Sequence, residues 1–259
     1  MTDFKVIETI KVIDSIQDET TDNFEQTFYG NKQTGPFIVV NNFNNDVKIV
    51  NIFDKNRVLS EYRRLYKNQL HSDHFDNPAL IEYVNGKVSK KRWFKNGKLH
   101  RENDKPAFVI HRYNDKGKDF LIRQDWYIDG KQHRDNDKPA SIRFYDNNTM
   151  WLESYYWYRD GMLHRDEGAA IIHYYDMEGL VKESEIWLKN GLYVEDKESP
   201  NSISYYKNGK KKCEHWMENG NHGKKTSSRI DKSLPISFWY DEDGNITDLK
   251  MFSEIENLV

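Results

Sequence analysis

The sequence predicts an all-β fold: an elongated antiparallel β-meander or solenoid of about 6–7 hairpin repeats, each roughly 30 residues long. Three observations predict it. One aromatic-led wording recurs along the chain, as in Trp93–Tyr113 (WFKNGKLHRENDKPAFVIHRY), Trp126–Tyr145 (WYIDGKQHRDNDKPASIRFY) and Trp157–Tyr175 (WYRDGMLHRDEGAAIIHYY). Asn-Gly or Asp-Gly pairs recur at a constant offset in each copy, and such pairs favour tight turns because both residues tolerate positive φ. After each proline the residues alternate between apolar and polar, which is the period of a half-buried strand.

The period is measured from the anchors Leu65, Trp93, Trp126, Trp157, Trp187 and Trp216, which stand 28, 33, 31, 30 and 29 residues apart. Self-similarity at such a period is the signature of a repeat array. The proline follows its anchor by 13 residues at Pro78, Pro106, Pro139 and Pro200, and Ala169 replaces it in the Trp157 copy. Turns are expected at Asn96-Gly97, Asp129-Gly130, Asp160-Gly161, Asn190-Gly191 and Asn219-Gly220. Three residues past each proline position stand Ile81, Val109, Ile142, Ile172, Ile203 and Phe238, the expected apolar spine. A second turn then leads back to the next anchor, at Asn85-Gly86, Asp115–Gly117, 146–148, Glu178-Gly179, Asn208-Gly209 and Asp243-Gly244. About two strands per repeat follow, with the Trp ladder expected on strands beside the spine.

Residues 1–60 read as an N-terminal cap with a degenerate first repeat, and residues 61–259 as the array. Within the cap, residues 1–27 fit helix and strand equally well. Pro36–Val40 and Asp46–Phe53 are β-rich. A cap is expected because repeat arrays need their terminal faces covered.

Composition narrows the class. The chain of 259 residues is 37% hydrophobic and rich in aromatics, with 7 Trp, 16 Tyr and 13 Phe. Disordered chains are poor in such residues. Its 39 basic and 42 acidic residues nearly balance, so no basic footprint for nucleic acid is present. Cys213 is the only cysteine, which excludes an intrachain disulfide and fits a reducing compartment. The first residues show no signal-peptide pattern, and no apolar run reaches membrane-span length.

Here the chain resembles a known group. The pattern W-[YF]-x-[ND]-G-K-x-H-R-x-[ND]-x-[KP]-P-A is similar to the MORN repeat, and its His-Arg and Lys-Pro-Ala wording is similar to MORN-like proteins abundant in giant DNA viruses of amoebae. The resemblance covers roughly residues 62–252. It implies a non-enzymatic scaffold or protein-interaction module, a viral structural or host-interaction protein located in host cytoplasm or virion. Membrane phospholipid attachment and self-association are the partners proposed for the wider family. The period here is longer than the MORN repeat's, and the usual Tyr-x-Gly start is absent.

Four constellations carry residue types suited to chemistry. His100, His133 and His164 recur seven residues after their Trp. Equivalent residues on alternate strands stand about 10 Å apart, too far to share a metal whose ligands lie ~2 Å away. The adjoining Arg101, Arg134 and Arg165 are expected to pair with the acidic turn that follows each of them, or else to present charge to a partner. Trp93, Trp126, Trp157, Trp187 and Trp216 are packing residues or a partly exposed platform; the first four, with the three arginines, form the candidate interaction surface. Lys207, Lys210, Lys211, Lys212, Lys224 and Lys225 are a solvated loop or an anionic-lipid patch. Cys213 and His215 share a strand face but match no nucleophile motif. No cofactor motif is found. The sequence therefore predicts a non-enzymatic, cytoplasmic module that binds protein and self-associates through a sheet edge, with anionic membrane as the alternative partner.

Overall fold

A computed structural model of the chain describes residues 6–12, 24–30, 35–43, 46–145, 151–175, 181–196, 198–217 and 235–251. Among these residues every regular element is a β-strand. The all-β antiparallel meander is therefore the fold. No helix long and apolar enough to cross a membrane occurs among them. The chain divides into two compact units: residues 1–112 with 126–130, and residues 113–125 with 131–259.

In the first unit the strands Val6–Val12, Phe24–Gly30, Phe37–Phe43, Val47–Phe53, Leu59–Tyr66, Leu80–Val84 and Lys87–Arg92 pair antiparallel in chain order. Phe108–Ile110 continue the ladder on Lys90–Arg92. Residues 6–12, open between helix and strand in sequence, are thus strand. In the second unit the same order holds through Asp119–Asp125, Ser141–Phe144, Leu152–Tyr156, Ile171–Tyr174, Lys182–Ile186, Ser202–Tyr205, Lys211–His215, Pro235–Tyr240 and Ile246–Met251.

The spine residues occupy equivalent register. Ile142 and Ile172 both lie opposite Tyr155, and Ile203 lies opposite Glu185 and Glu214. The second turns form where described: Asn85 and Gly86 both have positive φ, and the Gly209 and Gly244 amides bond back to Tyr206 and Asp241. The turns expected at 146–148, 178–179 and 219–220 lie outside the described residues.

Two details differ from the two-strand repeat. First, the Asn-Gly turns do not join the long strands. Each closes a separate two-residue hairpin: Phe94–Lys95 with Lys98–Leu99, Tyr158–Arg159 with Met162–Leu163, and Leu188–Lys189 with Leu192–Tyr193. The Trp stands between the end of a long strand and the start of this hairpin, not within a strand. Two adjacent positive-φ residues turn the chain within two positions, so the short arms meet before the proline segment is reached. Second, one extra residue recurs in six of the described strand pairs. The register skips Ser60 and Ser89 in the first unit, and Glu153, Glu183, Lys212 and Thr247 in the second. A bulge bends its strand and raises local twist.

The residue after each proline position packs where there is no room. Ala79, Ala107, Ala140 and Ala170 are wholly buried. Their backbones tie neighbouring strands: the Trp93 amide donates to Ala107, and the Trp157 amide to Ala170. The cluster in the second unit gathers Trp157, Ala169, Ile172 and Tyr174, with Tyr155 and Trp187 against it.

Candidate functional site

The recurring motif residues meet in a ladder of latches between successive repeats. In the first unit the Trp93 indole N–H donates to the Asp76 carbonyl at 2.8 Å. The Asp76 carboxylate receives Arg101 through Nε and Nη2, both at 2.9 Å, and Lys105 at 2.7 Å. The Arg101 guanidinium lies 3.6 Å from the centre of the Trp93 ring, and its Nη1 donates to the Pro106 carbonyl. The second unit repeats the figure. Trp157 donates to the Asp137 carbonyl at 3.0 Å, and Arg165 grips the Asp137 carboxylate at 2.7–3.2 Å. Arg165 also covers the Trp157 ring at 3.9 Å and donates to the Ala169 carbonyl. The Trp126 indole donates to the Asp104 carbonyl at 3.0 Å, and Arg134 donates to the Pro139 carbonyl. One aspartate thus holds the next repeat with both its carbonyl and its carboxylate, a bidentate and charge-assisted grip. Arginine over an indole adds a cation–π contact.

This corrects the expected pairing. Arg101 and Arg165 bind the acidic residue of the preceding repeat's turn, not that of the turn that follows them. Asp76 and Asp137 have positive φ, as do Asn103-Asp104 and Asn136-Asp137 as pairs, and this left-handed backbone aims the aspartate at the next repeat. The nearby acids instead serve the histidines: His133 Nε2 meets Asp135 at 3.1 Å, and His164 Nε2 meets Asp166 at 3.0 Å. Asp166 is held down to about 2, first by its hydrogen bond from Arg159 and then by His164.

The histidines form a second ladder. His Nδ1 accepts the backbone N–H of the Asn or Asp in the next hairpin turn: Asn96 on His71, Asp129 on His100, Asp160 on His133 and Asn190 on His164, at 3.1–3.2 Å. Beside them, the Gly97, Gly130, Gly161 and Gly191 amides donate to Leu70, Leu99, Gln132 and Leu163. At His133, where Nδ1 accepts the Asp160 amide, the ring proton is assigned to Nε2, facing Asp135. His71 was missed in sequence because the Leu65 copy lacks the Gly, which moves its His one place forward. Among the described residues no group of three or more His, Cys, Asp or Glu is placed to hold a metal.

Trp93 and Trp126 are each 6% exposed and Trp157 is 7% exposed. These three indoles are therefore covered by the latch and offer no open platform, while Trp187 is half-buried. Arg101 and Arg165 side chains are 16% and 19% exposed. In the Trp187 copy, Val194 keeps the backbone bond to Trp187 that His100 and His164 make to theirs. There Asn201 stands in the alanine position, 1% exposed, and joins Val194 and Met217: it donates to both carbonyls and accepts the Met217 amide at 2.8 Å. Nothing local in the sequence marks Asn201 as a latch. A tyrosine ladder was also missed: Tyr145, Tyr175 and Tyr206, each six residues past its proline position, donate to the carbonyls of Tyr174, Tyr205 and Tyr240.

Lys207, Lys210, Lys211 and Lys212 are exposed. Lys211 pairs with Glu214 at 2.5 Å, and Lys210 donates to the Asp243 carbonyl. Lys224 and Lys225 lie outside the described residues. The strand does bring Cys213 to His215, with Sγ 3.0 Å from Nε2, and His215 Nδ1 reaches Ser237 at 2.8 Å. Burial, then the Glu214 charge, pushes the Cys213 thiol up to about 11. It is protonated at neutral pH and is a poor nucleophile.

The latch makes an acid test. Arg101 first, helped by Lys105, holds the Asp76 carboxyl at about 2 against its ordinary 3.8. A depressed carboxylate contributes stability above its unfolded pKa and loses it as pH falls through the folded value. The side chain is 36% exposed, so screening reduces the contribution to about 1 kcal/mol. Urea unfolding should show that much lost between about pH 4 and pH 2, and Asp76→Asn should remove that part of the slope.

No family model matches this sequence, and no curated protein matches it.

Proposed function

We propose that the chain is a non-enzymatic repeat scaffold that binds a protein partner, and that the outer rim of its short hairpins is the contact surface. The MORN-like wording points to a giant-virus setting, in virion or host cytoplasm, as the place to look for that partner. One observation carries the reading. In the second unit Met162 and Leu192 follow the turn glycine of successive hairpins and are 46% and 57% exposed. The hairpins are linked by the Gly191 amide on Leu163, so the two side chains stand on neighbouring rungs. Exposed apolar side chains on adjacent hairpins are available to a protein partner, whose interfaces are apolar at their centre.

Two features agree with a role other than catalysis. The His, Arg and Asp of the motif are engaged in joining repeats. The Cys213 thiol is held protonated. The sheet edge supports self-association as the companion reading: Ile246–Met251 is the last described strand, with Ile246 57% and Leu249 42% exposed.

The test is a double substitution, Met162→Asp with Leu192→Asp. Affinity capture from infected or native cells with the parent should recover a defined protein that the variant loses, with an unfolding midpoint within about 2 °C of the parent, since exposed substitutions seldom move stability by more than ~0.5 kcal/mol. Equal recovery by both would remove the rim from the proposal. Flotation with anionic liposomes at low salt addresses the alternative built on Lys207, Lys210, Lys211 and Lys212, and no co-flotation is expected.

A further inference from the structure

Four Asn-Gly turns lie among the described residues: Asn85-Gly86, Asn96-Gly97, Asn190-Gly191 and Asn208-Gly209. Asparagine is thermolabile, and a glycine after it leaves the carboxamide open to attack by the next backbone nitrogen. That nitrogen must turn towards the Asn Cγ before a bond can form. A hydrogen bond that pins the glycine amide therefore slows the reaction.

All eight residues are exposed, so exposure does not separate the four turns. Their hydrogen bonds do. Gly97 and Gly191 donate to the Leu70 and Leu163 carbonyls at 2.9 and 2.8 Å, and the amides of Asn96 and Asn190 are held on His71 and His164. The Asn190 Oδ1 also lies 2.8 Å from His164 Nδ1. Gly209 donates to the Tyr206 carbonyl at 2.9 Å, while Asn208 Oδ1 accepts the Lys210 amide and its Nδ2 donates to the Glu242 carbonyl. Asn85-Gly86 differs. Among the described residues, neither the Gly86 amide nor the Asn85 carboxamide has a hydrogen-bond partner. The pair forms the whole loop between Val84 and Lys87, which lie opposite one another.

We infer that Asn85-Gly86 is a self-modification site, where the chain converts an amide to a carboxylate with water as the only co-reactant. The Gly86 nitrogen loses its proton and attacks the Asn85 Cγ. The new N–C bond forms as the Cγ–Nδ2 bond breaks, and Nδ2 leaves as ammonia. Water then opens the cyclic imide at either carbonyl and gives aspartate or isoaspartate; no group is oxidised or reduced. Both products add a negative charge, and isoaspartate also places a methylene in the main chain. In so short a loop that extra atom disturbs the pairing of Val84 with Lys87, because loop length fixes hairpin register. The pinned turns go on joining repeats, while the open one records the age of the chain. The site is independent of the hairpin rim and stands or falls by itself.

Site-resolved mass spectrometry tests it, on the full chain incubated at mildly alkaline pH both folded and in urea. In the folded protein Asn85 should convert first, roughly three- to tenfold faster than Asn96, Asn190 or Asn208, the factor expected when a hydrogen bond must break before attack. In urea, where the dipeptide alone sets the rate, the four should convert at similar rates. Asn85→Gln, whose longer side chain closes the imide ring far more slowly, should lose the first phase of conversion and keep the slower conversion of the other three. A pinned turn that converts as fast as Asn85 in the folded protein overturns the proposal. So does an Asn85 lead that is equally large in urea, because the fold would then not be its cause.

Discussion

Trp157→Ala should destabilise the second unit by about 3–5 kcal/mol, the range for truncating a buried aromatic. The indole is 7% exposed and sits in the cluster with Ala169, Ile172 and Tyr174. It also makes an edge contact with Tyr155, at 5.8 Å between ring centres. Its loss opens a cavity, orphans the Asp137 carbonyl and leaves Arg165 without the ring beneath it. The effect should exceed that of Arg165→Ala, which removes the grip on Asp137 but keeps the indole. Chemical denaturation of both variants measures the difference. If Trp157→Ala cost less than about 1 kcal/mol, the indole would not be holding the repeats together.

The second large effect runs against the chain's own repeat pattern. Asn201→Ala installs the residue found at Ala79, Ala107, Ala140 and Ala170, and a consensus change of this kind commonly stabilises a protein. Here it should destabilise by about 2–4 kcal/mol. Asn201 is 1% exposed and serves the Val194 carbonyl, the Met217 carbonyl and the Met217 amide. Alanine leaves all three without that partner in a site closed to water. Asn201→Asp separates the two roles of the amide: it can still accept from Met217 but cannot donate to the carbonyls, and it adds a buried charge. It should therefore be at least as damaging as alanine. An Asn201→Ala variant as stable as the parent would show that the carbonyls find other partners.

These two residues also mark how far sequence reasoning reaches. Trp157 was visible as a repeated anchor because repetition itself marks it. Asn201 was not, because its importance lies in replacing alanine at one step, where the His-Arg pair is replaced by Val194-Glu195. The histidine ladder was visible as a pattern but its partner was not, since Nδ1 meets a backbone amide and no side-chain chemistry announces that contact. The bulges at Ser60, Ser89, Glu153, Glu183, Lys212 and Thr247 share no residue type, so composition carries no sign of them.

By itself the sequence determined the strand alternation, the turn positions and the period, because each depends on residues within a few positions of one another. Positive-φ Asn-Gly pairs and period-two apolar runs act locally. Only the tertiary structure decided which carboxylate each arginine takes. Arg101 has Glu102 beside it and Asp104 three residues on, yet it binds Asp76, which is 25 residues back. The cause is the stacking of one repeat on the next. The left-handed backbone at Asp76 presents carbonyl and carboxylate to the following Trp and Arg together, and the short hairpin carries the near acids to the histidine instead.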